Sequence, residues 1–145
     1  MSFSIRVTNA PKLIANITAL GKVKSDRQKN LEMQRAELNN KKEKKLKDIN
    51  HIEDSIKENR DAKQEHSKKF YKNLGLNTVT ERAFSDFKYY LAKYDLDYKD
   101  ILKRRDVELK ELDKINQNIE ALNKDIKQLI VSQEKYHYIK ENIHE

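Results

Sequence analysis

Two spacings near the end of the chain could hold a metal. Glu134-x-x-His137 and Glu141-x-x-His144 each set a carboxylate and an imidazole one helical step apart, as in di-iron helical bundles. Such sites draw ligands from four facing helices and need two further Glu. Both pairs here fall on one expected helix, so the spacing reads as a heptad echo and no metal is assigned. Residues 41–47 (KKEKKLK) could meet phosphates. Glu43 interrupts that run and no recognition motif accompanies it, so it reads as a solvated helix face and nucleic acid is not assigned as a partner. There is no Gly-rich phosphate loop, no Gly-x-Ser-x-Gly and no His-Glu-x-x-His, and the four His (His51, His66, His137, His144) are dispersed. No catalytic residue and no cofactor are assigned, and the chain reads as a non-enzyme.

The elements that carry these residues follow from composition. Two Gly and one Pro in 145 residues leave little turn punctuation, which argues against all-β and α/β folds. Without cysteine there is no disulfide or thiolate site. No apolar run reaches the ~18 residues of a membrane span. The first residues lack the order of a secretory signal. The expectation is a cytoplasmic, soluble, all-α chain that does not span a membrane. Its charge is uneven: residues 1–74 hold 18 Lys+Arg and 10 Asp+Glu, residues 75–145 hold 13 and 14.

The clear break is at residues 71–80 (YKNLGLNTVT), where Gly75 and Asn77 suit a helix stop and Thr78 with Glu81 fits a capping box. After it, alternating steps of three and four run Phe84, Phe87, Leu91, Tyr94, Tyr98, Ile101, Arg105, Glu108, Leu112, Ile115, Ile119, Leu122, Ile126, Leu129, Gln133, Tyr136, Lys140, Ile143; this 3.5 spacing is a coiled-coil seam. Arg105 and Glu108 interrupt it, and Leu102 and Leu109 could take over through a local shift. In the first half Leu13, Ile17 and Leu20 keep the spacing, then Lys24 and Arg27 break it. It resumes as Leu31, Arg35, Leu38, Lys42, Lys45, Ile49, Ile52, Ile56, Asn59, Lys63, His66 and Phe70. Pro11 can begin this helix with Asn9 or Thr8 as its cap. The expected architecture is a long two-helix antiparallel coiled-coil hairpin: arm 1–10, disordered or docking; helix 11–73; turn 74–78; helix 79–143. Each helix would be ~95 Å long.

In a hairpin centred near Gly75, residue i faces roughly residue 151 − i. Lys44, Lys45 and Lys47 then face the stretch with Asp106 and Glu108. Phe84, Phe87, Leu91, Tyr94 and Tyr98 face Ile56, Asn59, Lys63 and His66, so five large side chains meet one Ile. Either these rings are a partner surface or the stems of Lys63, Lys68 and Lys69 cover them.

This layout resembles the stalk proteins of bacterial type III export systems, the flagellar FliJ proteins and their YscO/SctO relatives. Phe84-x-x-Phe87-x-x-x-Leu91-x-x-Tyr94-x-x-x-Tyr98 is similar to the aromatic-rich start of that family's second helix, and residues 112–129 (LDKINQNIEALNKDIKQL) to its polar C-terminal heptads. The resemblance implies a non-enzymatic central stalk coupling a hexameric secretion ATPase to the export gate, peripheral to the inner membrane. Its implied partners are the ATPase, the cytoplasmic domain of the export-gate membrane protein, and secretion chaperones. Phe84, Phe87, Leu91, Tyr94 and Tyr98 would face the gate; Lys22, Lys24, Lys127 and Lys135 would face the ATPase ring. The alternative is a structural or chaperone-like coiled coil that self-associates or binds client chains.

Overall fold

The computed structural model describes residues 4–76 and 79–144. In chain order they form β1 (Ile5–Arg6), α1 (Ala10–Gly75), α2 (Glu81–Asn142) and β2 (Ile143–His144). The fold is an all-α helical hairpin in which the two long helices pack against each other. The chain divides into two compact units. A terminal unit comprises Met1–Lys41 and Ile115–Glu145; a turn unit comprises Lys42–Lys114.

In the terminal unit, Asn9 sets the start of α1. Its backbone takes a left-handed φ of 58°, which Asn tolerates better than most residues. Its side-chain Oδ1 accepts from the backbone N–H of Lys12 at 3.4 Å, and its carbonyl accepts from Leu13 at 3.3 Å. Asn9 therefore caps the helix at the point where the chain turns. The arm over 1–10, expected to be disordered or docking, is docked in its described residues. Ile5 and Arg6 pair in parallel with Ile143 and His144. The Val7 N–H donates to the His144 carbonyl at 2.8 Å, and Ser4 Oγ lies 2.8 Å from His144 Nδ1. The backbone of this arm thus finds partners in the chain that follows α2. Ala10, Ile17, Ile126 and Leu129 are the buried apolar residues of this unit.

The seam of α1 follows the spacing read from the sequence. All twelve positions stepped from Leu31 to Phe70 are at least partly shielded, whether they carry Ile or Lys. The break expected at Lys24 is absent. Gly21, Lys24 and Gln28 continue the seam from Ile17, while Leu20 and Arg27 are exposed. The helix takes a step of four after Ile17 where a step of three had been read, which shifts the phase by one residue.

In the turn unit the buried apolar residues are Ile49, Ile52, Phe70 and Phe87, each contributing about 1.5–3 kcal/mol of burial. The shift expected around Arg105 and Glu108 does not occur. Both stay in the seam while Leu109 faces out at 43% exposure. They stay because α1 supplies charge partners. Lys45 Nζ is 2.8 Å from Glu108 Oε2 and also pairs with Glu111. Arg105 Nη1 donates to Glu53 Oε1 at 3.3 Å.

The turn differs from the expected one. Gly75 is the last residue of α1 and has no positive φ. The Leu76 N–H donates to the Asn73 carbonyl at 3.1 Å. The helix start at Glu81 is capped by Thr80, whose Oγ1 accepts from the Ala83 N–H at 3.1 Å. Of the capping box read as Thr78 with Glu81, Thr78 lies outside the described residues, as does Asn77. Because α1 runs through Gly75, the hairpin axis moves to the link beyond it. Phe70 consequently lies against Phe87, six positions past its expected partner Glu81.

Candidate functional site

The displaced register decides where the rings go. Phe70 and Phe87 stack with centroids 3.9 Å apart and planes 3° from parallel. Phe84 and Tyr71 flank the stack, Phe84 at 6.0 Å from Phe70 and Tyr71 at 5.9 Å from Phe87. One turn away, the His66 imidazole sits among Tyr90 at 4.8 Å, Phe87 at 5.9 Å and Tyr94 at 6.1 Å. Edge-to-face and offset pairs of this kind add about 0.5–1.5 kcal/mol each beyond burial. The expectation that five large side chains of the second helix meet a single Ile therefore does not hold, because Phe70 joins the expected His66 against them.

The five side chains singled out in the sequence separate into two groups. Phe87 is buried at 5% and Leu91 and Tyr94 are half-buried, all three in the seam. Phe84 and Tyr98 remain exposed at 44% and 41%. Tyr89 and Tyr90, off the seam, are exposed as well. The surface left to a partner is thus Phe84, Tyr89, Tyr90 and Tyr98, and Phe87 offers none. Lys88 places its ammonium 4.5 Å over the Phe84 ring, a cation–π contact. Of the lysines expected to lie over the rings, Lys63 directs its ammonium to Asp95 at 2.7 Å.

Polar groups occupy much of the remaining seam of the turn unit. The Lys45 ammonium is held well above its ordinary pKa by the Glu108 and Glu111 carboxylates beside it. Glu108 Oε2 has this ion pair but no aligned hydrogen bond, and Arg105 Nε is buried without a hydrogen-bond partner. Asn59 Nδ2 donates to the Tyr94 carbonyl at 3.4 Å. An open groove of about 480 Å³ runs beside this layer, walled by Asp48, His51 and Ser55 of α1 and by Lys103, Arg104 and Val107 of α2. Its walls mix both charges and select for neither sign.

In the terminal unit, Gln133 donates to Gln28 at 2.6 Å and Arg35 to Asn123 at 2.9 Å. Of the four lysines expected to face an ATPase ring, Lys22, Lys127 and Lys135 are exposed, whereas Lys24 turns into the seam. Lys24 lines a small groove with Arg27, Asp125, Gln128 and Ser132. The Glu-x-x-His spacings resolve into local contacts. His137 Nε2 pairs with Glu141 at 2.9 Å, and His144 meets Ser4. Among the described residues no cluster of three or more His, Cys, Asp or Glu could hold a metal ion, and no helix is long and apolar enough to cross a membrane.

Sequence reading set His66 opposite the rings but missed Phe70 as their partner. Both already stood on the stepped seam; the missing quantity was the register between helices. It also passed over Tyr71, Leu74 and Leu76, exposed beside the turn at 61%, 48% and 65%. No family model matches this chain, and no curated protein or solved structure matches it either.

Proposed function

We propose that this chain is a protein-interaction hairpin without catalysis of its own, engaging a partner through the ring-bearing flank of α2 beside the turn. The observation that carries this reading is the exposure of Phe84, Tyr89, Tyr90 and Tyr98 next to a stack that fixes the backbone beneath them. Rings with little rotamer freedom on a rigid element lose little entropy on binding. The resemblance to export stalks makes the reading specific. The chain would be the central stalk of a type III export apparatus, touching the export gate with this flank. It would meet the ATPase ring through Lys22, Lys127 and Lys135, exposed charges that make and break contacts at little desolvation cost. Coupling then requires that the chain bind different ring states with different affinity.

The purified chain should raise hydrolysis by the secretion ATPase or promote its hexamer, and Phe84→Ala with Tyr98→Ala should weaken capture of the gate's cytoplasmic domain. No change in hydrolysis or assembly, with both proteins folded, removes the stalk assignment. A second reading, self-association, draws on Ile130, Val131 and Tyr138, which are exposed on α2 in the terminal unit. Sedimentation as a monomer at micromolar concentration removes it.

A further inference from the structure

The residues around the turn carry an apolar and basic surface bordered by Tyr89 and Tyr90 of the proposed partner flank. Tyr71, Leu74 and Leu76 project into solvent where the helices end. The charge around them is one-sided. Residues 68–94 carry six basic side chains (Lys68, Lys69, Lys72, Arg82, Lys88, Lys93) against two acidic ones, Glu81 and Asp86. The rest of the turn unit carries thirteen basic and fourteen acidic residues, so the excess belongs to this end alone.

The heights along the helices are ordered. At 1.5 Å per residue, Lys68 to Lys72 lie about 5–10 Å back from the end of α1, and Tyr89 and Tyr90 about 12–14 Å past the start of α2. Leucines at the apex, lysines one to two turns behind and tyrosines about level with Lys68 match the layers of a bilayer interface. Apolar groups there enter about 5–10 Å, ammonium groups reach the headgroups, and amphipathic rings settle at the boundary. The Leu76 N–H is already bonded to the Asn73 carbonyl, so entry does not strand this donor in a dry medium.

We infer that the turn end of this hairpin docks on an anionic lipid bilayer, with Leu74 and Leu76 entering the interface and Lys68, Lys69 and Lys72 meeting lipid phosphates.

The test uses the full chain in flotation with phosphatidylcholine vesicles, with and without roughly one third phosphatidylglycerol, in about 0.1 M salt. The expected result is binding to the anionic vesicles at least roughly tenfold above the neutral ones. The double variant Leu74→Ser with Leu76→Ser changes only exposed side chains, so helix content by circular dichroism stays the same. Its binding should fall roughly tenfold or more. Lys44→Glu with Lys47→Glu lowers the basic charge away from the turn and should keep most of the binding. No flotation with anionic vesicles overturns the inference. So does undiminished binding by the leucine variant, which would mean adsorption by lysines alone, and so does capture by an acidic soluble protein without any lipid binding. The ATPase experiment contains no lipid, so failure of either leaves the other standing.

Discussion

The Phe70–Phe87 stack offers the sharpest check on the register. Phe87→Ala removes a ring that is 5% exposed and faces another that is 9% exposed. Burying a Phe side chain is worth about 1.5–3 kcal/mol by transfer, and the lost stacking adds about 0.5–1.5 kcal/mol. The seam is only two helices thick, so the neighbours can partly collapse onto the space. That holds the cavity contribution to the low end of the large-to-small range. The expected cost is about 3 kcal/mol. Phe84→Ala, with nearly half of its ring in water, should cost under about 1 kcal/mol. Urea unfolding can be followed by helix circular dichroism and, separately, by tyrosine emission. Five of the seven tyrosines (Tyr71, Tyr89, Tyr90, Tyr94, Tyr98) belong to the turn unit, and there is no tryptophan to mask them. The midpoint seen by tyrosine should move for Phe87→Ala and barely for Phe84→Ala. Equal, small shifts for the two variants would place Phe87 on the surface and refute the six-position displacement.

Two further outcomes follow from single side chains. Lys45 has a folded pKa raised by Glu108 and Glu111. Its contribution is therefore fully present below its ordinary value of ~10.4 and lost as pH rises through the folded one. Wild type should exceed Lys45→Met in urea midpoint by a constant margin from neutral pH to about 10, and the margin should shrink above that; a margin gone by about pH 9 contradicts the assignment. Gly21 lies inside α1 with no positive φ, and a methyl there meets no atom within 4 Å. Gly21→Ala should raise stability by about 0.5–1 kcal/mol, and a fall in thermal midpoint would show that the space is not free.

Much of the hairpin could be read before any coordinates because helix geometry imposes the 3.5 spacing whatever the residue type. Lys42, Lys63 and His66 keep their seam places as faithfully as Ile49 and Ile52. Arg105 and Glu108 looked like interruptions because their merit lies in another helix. Glu53 and Lys45 stabilise them there, and no pattern within α2 reports that. The register failed for a related reason. Gly75 is the stop it looks like, but α1 ends and α2 begins two residues later than read, and a shift of the axis by about three residues reassigns every cross-helix pair. The alternation of Phe3, Ile5 and Val7 offers a short strand at the start of the chain, but nothing near Ile143 marks its parallel partner. The exposed flank was legible in residue type, but which rings were spare depended on the register.

The parallel pairing of β1 with β2 alters how the molecule would respond to being pulled. An antiparallel helix pair held at its open end peels apart one layer at a time, each layer carrying the whole load. Residues 4 and 144 sit at opposite ends of their short ladder. Tension applied there runs along the strands and loads their bonds in shear, together, before any layer of the helices can open.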